Sequence, residues 1–161
     1  MRLIFFQYAI MVYFLKDKVM VFTDGASRGN PGESASGFAA YVGGNDVPEL
    51  HVHYNGKATN NYAEYMAIIL SLEWCRRNIK ECNALEIHLY SDSAVAINQI
   101  NGVYKIRSEN LIPLNTRVKA LVENFRKVSF SNLPREDRRI SLVDRALNRF
   151  LDMVQQKSSP P

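Results

Sequence analysis

The hydrophobic period of the chain changes partway along, and this change limits the folds that the sequence can adopt. Residues 19–23, 37–43 and 50–55 are short apolar or alternating runs, which is typical of strands. The Gly, Ser, Asn and Pro residues of 26–36 supply turn chemistry between the first two runs. From 61 to 77 the apolar residues recur at helical spacing. We therefore expect an antiparallel meander of three strands followed by a helix.

The second half of the chain alternates strands and helices. Strands are predicted at 85–90 and 128–133, and helices at 94–101, from Pro113 to about 125, and at 141–155. The resulting order is βββαβααβα. Two connections that pass from strand to helix to strand require parallel pairing of some strands, with helices packed over the sheet. The sequence thus predicts an α/β fold built on a mixed five-stranded sheet.

Length and composition favour one folded domain. A chain of 161 residues with 47% apolar and 22% charged residues is long enough for a hydrophobic core and too apolar for global disorder. Two cysteines exclude a disulfide framework, and we expect a cytoplasmic protein. The net charge of +4 and the pI of about 9.1 favour polyanionic partners. We place the domain at 18–155 and a disordered polar tail at 156–161.

Residues 1–17 form an apolar N-terminal extension. Residues 1–15 carry one charge, at Arg2, and are too few to span a membrane, which takes about 20 apolar residues. A basic start and an apolar centre are typical of a signal peptide, but no small-residue cleavage site follows. Three interpretations stay open: an over-long start, an added strand or helix packed on the domain, or a membrane or export signal. We expect no membrane partner for the domain itself.

Four carboxylates fall at the ends of predicted elements. Asp24 ends the first strand and Asp92 ends the fourth, so the two are adjacent if these strands are parallel neighbours. Glu64 and Asp144 fall in the first turns of the first and last helices. A cluster of hard oxygen ligands with no basic partner becomes stable when a divalent cation such as Mg²⁺ neutralises it. Two such ions can support in-line displacement at phosphorus.

Each of these residues also has a purely structural interpretation. Asp24 and Gly25 together are a hairpin-turn signal, and Asp92 is placed to stabilise a helix start. Glu64 and Asp144 each follow an Asn or Ser by three residues, which is capping-box spacing. Spacing alone does not separate these roles from a metal site.

The first two of four ordered motifs resemble those of the ribonuclease H family. DGASRGNPG, at 24–32, resembles the family's opening hairpin, in which the first metal-binding aspartate corresponds to Asp24. ATNNYAE, at 58–64, resembles the family's TNNxxE helix start, in which the catalytic glutamate corresponds to Glu64.

The other two motifs follow in the same order. Residues 89–114 resemble the third motif, whose aspartate corresponds to Asp92. LPREDRRISLVD, at 133–144, resembles the last motif, whose aspartate corresponds to Asp144. The resemblance covers residues 19 to about 151, some four fifths of the chain. It is closest to the type 1 branch found in archaea and bacteria.

The resemblance implies a fold and an activity. The fold is the ribonuclease H-like three-layer α/β fold: a five-stranded mixed sheet with strands 1–3 antiparallel, strands 1 and 4 parallel, and helices on both faces. The activity is endonucleolytic cleavage of the RNA strand of an RNA·DNA hybrid with two Mg²⁺ or Mn²⁺ ions, which leaves 5′-phosphate and 3′-hydroxyl ends. The catalytic residues and metal ligands would be Asp24, Glu64, Asp92 and Asp144.

The resemblance also implies the substrate contacts. RNA differs from DNA by its 2′-hydroxyls in a wide, shallow minor groove, which short amides and backbone groups can contact. The substrate-binding residues would be Gly25, Arg28, Asn30, Thr59, Asn60 and Asn61. Helix capping is an alternative role for Asn60 and Asn61.

One departure from the family pattern concerns the loop before the last motif. Many bacterial relatives carry a flexible histidine there, whereas residues 126–143 contain none. Glu136 or a water molecule would then take the role that this histidine has in those relatives. We expect a monomer, and two alternative functions stay open: a catalytically weak hybrid- or RNA-binding module, and a nuclease that also acts on double-stranded RNA.

Overall fold

Residues 18–158 are described by the structure, a computed structural model, and they form one three-layer α/β domain. Residues 1–17 and 159–161 lie outside the described residues, so the interpretations of the N-terminal extension are not decided. The strands are β1 (Lys18–Gly29), β2 (Gly32–Val42), β3 (Glu49–Ala58), β4 (Glu86–Ser91) and β5 (Lys127–Asn132). The helices are α1 (Asn60–Asn78), α2 (Ala94–Ile100), α3 (Ile112–Val122) and α4 (Arg138–Ser158), and a short 3-10 turn spans Cys82–Ala84.

The sheet has the strand order β3-β2-β1-β4-β5. β1 pairs with β2, and β2 with β3, in antiparallel ladders joined by short turns. β1 pairs with β4, and β4 with β5, in parallel ladders, because each of these connections passes through helix. The mixed sheet and the order of elements are confirmed.

Two hydrophobic cores lie on opposite faces of the sheet. On one face the core contains apolar residues of α1, α2 and α3, including Ile68, Ile97 and Val118. On the other face α4 contributes Ile140, Val143, Leu147 and Leu151, which recur every three or four residues. The helices therefore cover both faces of the sheet, as the family resemblance implied. Among the described residues, no helix combines the length and apolar character that crossing a bilayer requires.

The hairpin between β1 and β2 is much tighter than the sequence analysis predicted. Most of the segment 26–36 is strand, and the ladder between β1 and β2 runs as far as the Gly29–Gly32 pair. Its small polar residues are hydrogen-bonded within the fold: Ser34 Oγ donates to the Gly56 carbonyl at 3.0 Å, and Ser36 Oγ to the Ala63 carbonyl at 2.6 Å. Small residues whose hydroxyls find carbonyl partners can be buried in a strand, so their turn-like composition was misleading here.

The last helix is also longer than predicted at both ends. It begins at Arg138, after Asp137, whose Oδ1 accepts a hydrogen bond from the Arg139 amide at 2.9 Å. It ends at Ser158, so residues 156–158, which were assigned to a disordered tail, are helical. The capping-box interpretation of Asp144 is wrong, because Ser141 lies inside the helix and its amide donates to the Asp137 carbonyl.

Gly25 fixes how closely α1 approaches β1. A Cβ at this position would overlap the Glu64 amide nitrogen and the carbonyl carbon of Ala63. These are backbone atoms of a helix and cannot move aside singly. The absence of a side chain at Gly25 therefore allows Glu64 to lie against the strand that carries Asp24.

We expect Gly25→Ala to lower the free energy of unfolding by about 3 kcal/mol or more, because the methyl group would push α1 off the sheet. Urea denaturation followed by circular dichroism measures this change. Gly37→Ala is the matched control: a Cβ there would come no closer than 3.0 Å to any neighbour, against 2.3 Å at Gly25. A loss for Gly25→Ala no greater than for Gly37→Ala would contradict the close packing of α1 on β1.

Candidate active site

Asp24 and Asp92 meet where the parallel ladder between β1 and β4 ends. The last pair of that ladder is Thr23 with Ser91, and the two aspartates are the next residues of each chain segment. β1 itself continues to Gly29 in its pairing with β2, so Asp24 lies inside a strand. The expectation that Asp24 ends the first strand was wrong, and so was its interpretation as a turn residue. The inference that parallel pairing makes the two aspartates neighbours holds.

Glu64 reaches the same point from α1. Thr59 caps this helix, with its hydroxyl accepting a hydrogen bond from the Tyr62 amide at 3.3 Å. Glu64 therefore lies in the second turn and not in the first, and the capping box with Asn61 does not form. The side chain is 4% exposed and sits above Gly25.

The three carboxylates form a compact cluster. Asp24, Glu64 and Asp92 each place one oxygen within 4.8 Å of the others. Asp24 is as buried as Glu64, and Asp92 is half-buried. Within residues 18–158, two shielded oxygens, Oε2 of Glu64 and Oδ1 of Asp92, have no hydrogen-bond partner. Unpartnered carboxylate oxygens in such a cluster fit a hard divalent cation such as Mg²⁺.

Asp144 lies beside this cluster but outside it. It is in the second turn of α4, not the first as predicted, and its Oδ1 accepts a hydrogen bond from Arg135 at 2.5 Å. Its negative charge still reaches Asp24 and Asp92, whose pKa values it raises. The fourth predicted carboxylate is therefore near the other three but is engaged with a cation of the protein.

Burial and mutual repulsion make the cluster reluctant to ionise fully. Burial is the main cause that raises the pKa of Asp24 to about 7, and the charges of Asp92 and Asp144 add to it. Burial also raises the pKa of Glu64, followed by the charges of Asp24 and Asp92. The pKa of Asp92 is raised mainly by burial. A bound cation would favour the ionised form of all three groups.

Arg135 is the charged residue of the site that the sequence analysis missed. It lies in the loop between β5 and α4, and its charge lowers the pKa of Asp24, Glu64 and Asp92. The hydrogen bond to Asp144 raises its own pKa. A signal for Arg135 was available, because it is a basic residue in the loop that lacks a histidine. In this segment the sequence pattern assigned roles only to Glu136 and Asp144.

The predicted substrate residues separate into two groups. Gly25, Arg28 and Asn60 line the cleft that holds the carboxylates, together with Ser93 and Asn148, which were not predicted. The side chain of Arg28 makes an ion pair with Asp152 of α4 at 2.7 Å.

Asn30, Thr59 and Asn61 do not line this cleft. Asn30 Oδ1 accepts a hydrogen bond from the Asn60 amide at 3.1 Å and so ties the hairpin turn to the start of α1. Thr59 caps the helix, and Asn61 is exposed in its first turn. These three residues surround the N-terminus of α1 next to the cleft.

The sequence model of the RNase H family matches residues 16–137 of the chain, which include the cluster of three carboxylates. The chain belongs to the ribonuclease H family. The match ends before Asp144, so the assignment of Asp144 to the site depends on its position in the fold.

Relatives place this ribonuclease H family member in the type 1 branch. Ribonuclease HI of Halobacterium salinarum is 32% identical over 133 residues, which is 81% of this chain and 65% of the relative. Its structure aligns with a TM-score of 0.76 at 31% identity, covering 84% of this chain and 98% of that one.

A second relative is longer. A Mycobacterium tuberculosis bifunctional protein is 30% identical over 143 residues, which is 88% of this chain but 38% of that protein. The chain thus spans less than two thirds of these curated relatives. A further family structure, LC11-RNase H1 in complex with an RNA/DNA hybrid, aligns with a TM-score of 0.71 at 27% identity, covering 83% of this chain and 99% of that one.

The raised pKa of Asp24 predicts how stability depends on pH without divalent metal. At pH values between the ordinary pKa of 3.8 and the raised pKa of about 7, the Asp24 carboxyl keeps its proton in the folded state and has lost it in the unfolded state. The free energy of unfolding should therefore fall as the pH rises from about 4 to about 7. Asp24→Asn, which removes one charge at constant size, should flatten this fall and raise stability at pH 8 by about 2 kcal/mol.

Chemical denaturation at pH 5 and pH 8 in EDTA measures this difference, and excess Mg²⁺ should restore the stability of the original protein at pH 8. Asp152→Asn is the control, since that carboxylate is exposed and paired with Arg28. A pH profile that Asp24→Asn leaves unchanged would contradict the electrostatic description of the cluster.

Proposed function

We propose that the protein is a ribonuclease H that cleaves the RNA strand of RNA·DNA hybrids. The observation that carries the proposal is the cluster of Asp24, Glu64 and Asp92, which lines a cleft and includes shielded, unpartnered oxygens of Glu64 and Asp92. A buried cluster of like charges is costly to the fold, so its presence in a family of nucleases supports a catalytic purpose.

Asp24, Glu64 and Asp92 would hold the divalent ions, and Asp144 would be the fourth acidic group beside them. Two Mg²⁺ or Mn²⁺ ions, when bound, supply the positive charge that activates a water molecule and stabilises the leaving 3′-oxygen, which yields 5′-phosphate and 3′-hydroxyl ends. The buried position of Asp24 and Glu64 keeps water away from their carboxylates, which strengthens their interaction with a cation.

The residues around the carboxylates would orient the nucleic acid. Arg28 and Arg135 bring guanidinium groups to the cleft, where they can contact phosphate oxygens. Asn60 adds a short amide at the same edge. Asn30, Thr59 and Asn61, around the start of α1, place further amide and hydroxyl groups where the 2′-hydroxyls of an RNA minor groove could be contacted.

The hybrid is the substrate that the comparisons favour, because an RNase H1 with the same fold has been solved in complex with an RNA/DNA hybrid. We propose that the protein acts as a monomer in the cytoplasm. Two free cysteines in the described domain fit a reducing compartment.

We expect the protein to cut a labelled RNA·DNA hybrid in Mg²⁺ or Mn²⁺, with products that carry 5′-phosphates. Asp92→Asn should reduce cleavage at least about 100-fold, because it removes one carboxylate charge from the cluster while keeping its shape. Glu123→Gln is the control, since Glu123 is an exposed acid at the end of α3. Circular dichroism should show the same fold for both variants.

The same assay separates the alternative functions. DNA duplex, RNA duplex and single-stranded RNA are tested beside the hybrid. Tight binding of the hybrid without cleavage in either metal would replace the nuclease with a binding module. Cleavage of the RNA duplex as well would widen the substrate range, whereas neither binding nor cleavage of any hybrid would refute the proposal.

A further inference from the structure

Helix α4 carries a row of arginines on one exposed face. Arg138, Arg145 and Arg149 are seven and four residues apart, which is about two turns and one turn of helix. Their side chains therefore lie nearly in line, over about 16 Å of helix length. All three are exposed. We call these three residues the α4 arginine row.

The α4 arginine row groups three of the arginines that no carboxylate neutralises in residues 18–158. Residues 18–158 contain eleven arginines, and six of them make ion pairs with carboxylates. None of the three arginines of the row does so within that part of the chain. Arg145 and Arg149 are also one turn apart, a spacing at which like charges destabilise a helix. An external polyanion would relieve this repulsion.

The neighbouring acidic residues do not cancel the row. Asp46 and Glu136 line the groove beside Arg138 and Arg145 but are not within ion-pair distance of either. Asp152 lies on the same face of the helix, seven residues after Arg145, but its carboxylate is paired with Arg28 and not with the row. The α4 arginine row therefore presents three free positive charges to the solvent.

The row lies on the outer face of α4, about a quarter turn from the side of the helix that faces the carboxylate cleft. Asn148 lines that cleft, and Asp144 is bonded to Arg135, which also lines it. Arg145 and Arg149 follow these two residues directly in the chain, so each is about 100° further around the helix. A duplex with a phosphate at the carboxylates is wide enough to reach this face if it extends beyond the cleft on the α4 side.

We propose that the α4 arginine row binds the phosphodiester backbone of the nucleic acid substrate outside the cleft. The row spans about 16 Å, over which one strand of a duplex carries about five phosphates. Arginine suits this contact because its guanidinium donates in pairs to phosphate oxygens. This inference rests on the proposed function for the identity of the substrate, and it assigns the row to affinity and not to the cleavage step.

The test is the salt dependence of hybrid binding. Affinity for a hybrid of about 20 base pairs is measured over a series of salt concentrations, with Asp92→Asn present in every protein so that no cleavage occurs. Each phosphate contact contributes about 0.9 to the slope of log affinity against log salt concentration. The triple change Arg138→Gln, Arg145→Gln, Arg149→Gln should lower that slope by about 2–3. Between about 50 and 200 mM salt, the triple variant should then lose roughly 40-fold less affinity than its parent.

Two further sets of variants control for net charge and for folding. Arg76→Gln, Lys80→Gln and Lys119→Gln together remove the same charge from exposed residues that do not line the cleft, and should change the slope by less than about one. Changing the three arginines of the row to lysine should keep the slope. Arg149→Gln alone should lower it by about 0.9.

The outcomes separate this proposal from its rivals and from the proposed function. An unchanged slope for the triple variant, or an equal fall in the slope of the control triple, would overturn the proposal. Binding of each protein to anionic lipid vesicles is measured beside hybrid binding. A triple variant that loses vesicle binding but keeps hybrid binding would also overturn the proposal. If the original protein cleaves hybrids but the slope does not fall, the α4 arginine row has no such role and the nuclease stands. If no hybrid is cleaved but the slope falls as expected, the nuclease assignment fails and the backbone contact stands.

Discussion

The crowding of three carboxylates in a largely buried cluster is the constraint on which the rest of the site depends. Burial is the main cause that raises the pKa values of Asp24, Glu64 and Asp92, and the charges of neighbouring carboxylates add to it. Two parts of the fold hold them together nonetheless: the parallel ladder between β1 and β4, and the close packing of α1 on Gly25. The fold thus bears an electrostatic cost that a divalent cation would remove.

The positive charges around the site are divided between two tasks. Arg135 lies among the carboxylates and is bonded to Asp144, so it offsets part of the negative charge when no cation is bound. Arg28, at the edge of the same cleft, is paired with Asp152 of α4. The α4 arginine row has no such partner in the described part of the chain, and its three side chains are exposed. The guanidinium groups at the cleft are therefore paired with carboxylates of the protein, whereas those of the α4 arginine row are available to a polyanion.

The sequence predicted the order of elements and the three carboxylates better than it predicted where the elements end. Hydrophobic period and parallel pairing were enough to bring Asp24 and Asp92 together. They were not enough for the hairpin, because buried Ser and Gly residues have the composition of a turn. Capping patterns misplaced Glu64 and Asp144 by a turn, since the helices begin at Asn60 and Arg138. Arg135 was missed because its role depends on how a loop folds back over the sheet.

The most direct test of the central claim is anomalous scattering from a crystal of the protein grown with Mn²⁺. We expect Mn²⁺ within bonding distance of carboxylate oxygens of Asp24, Glu64 and Asp92, because these oxygens already lie within 4.8 Å of one another. The peak should disappear in Asp92→Asn crystals grown in the same way. Anomalous density elsewhere on the protein, with none at these three side chains, would contradict the assignment of the cluster as the metal site.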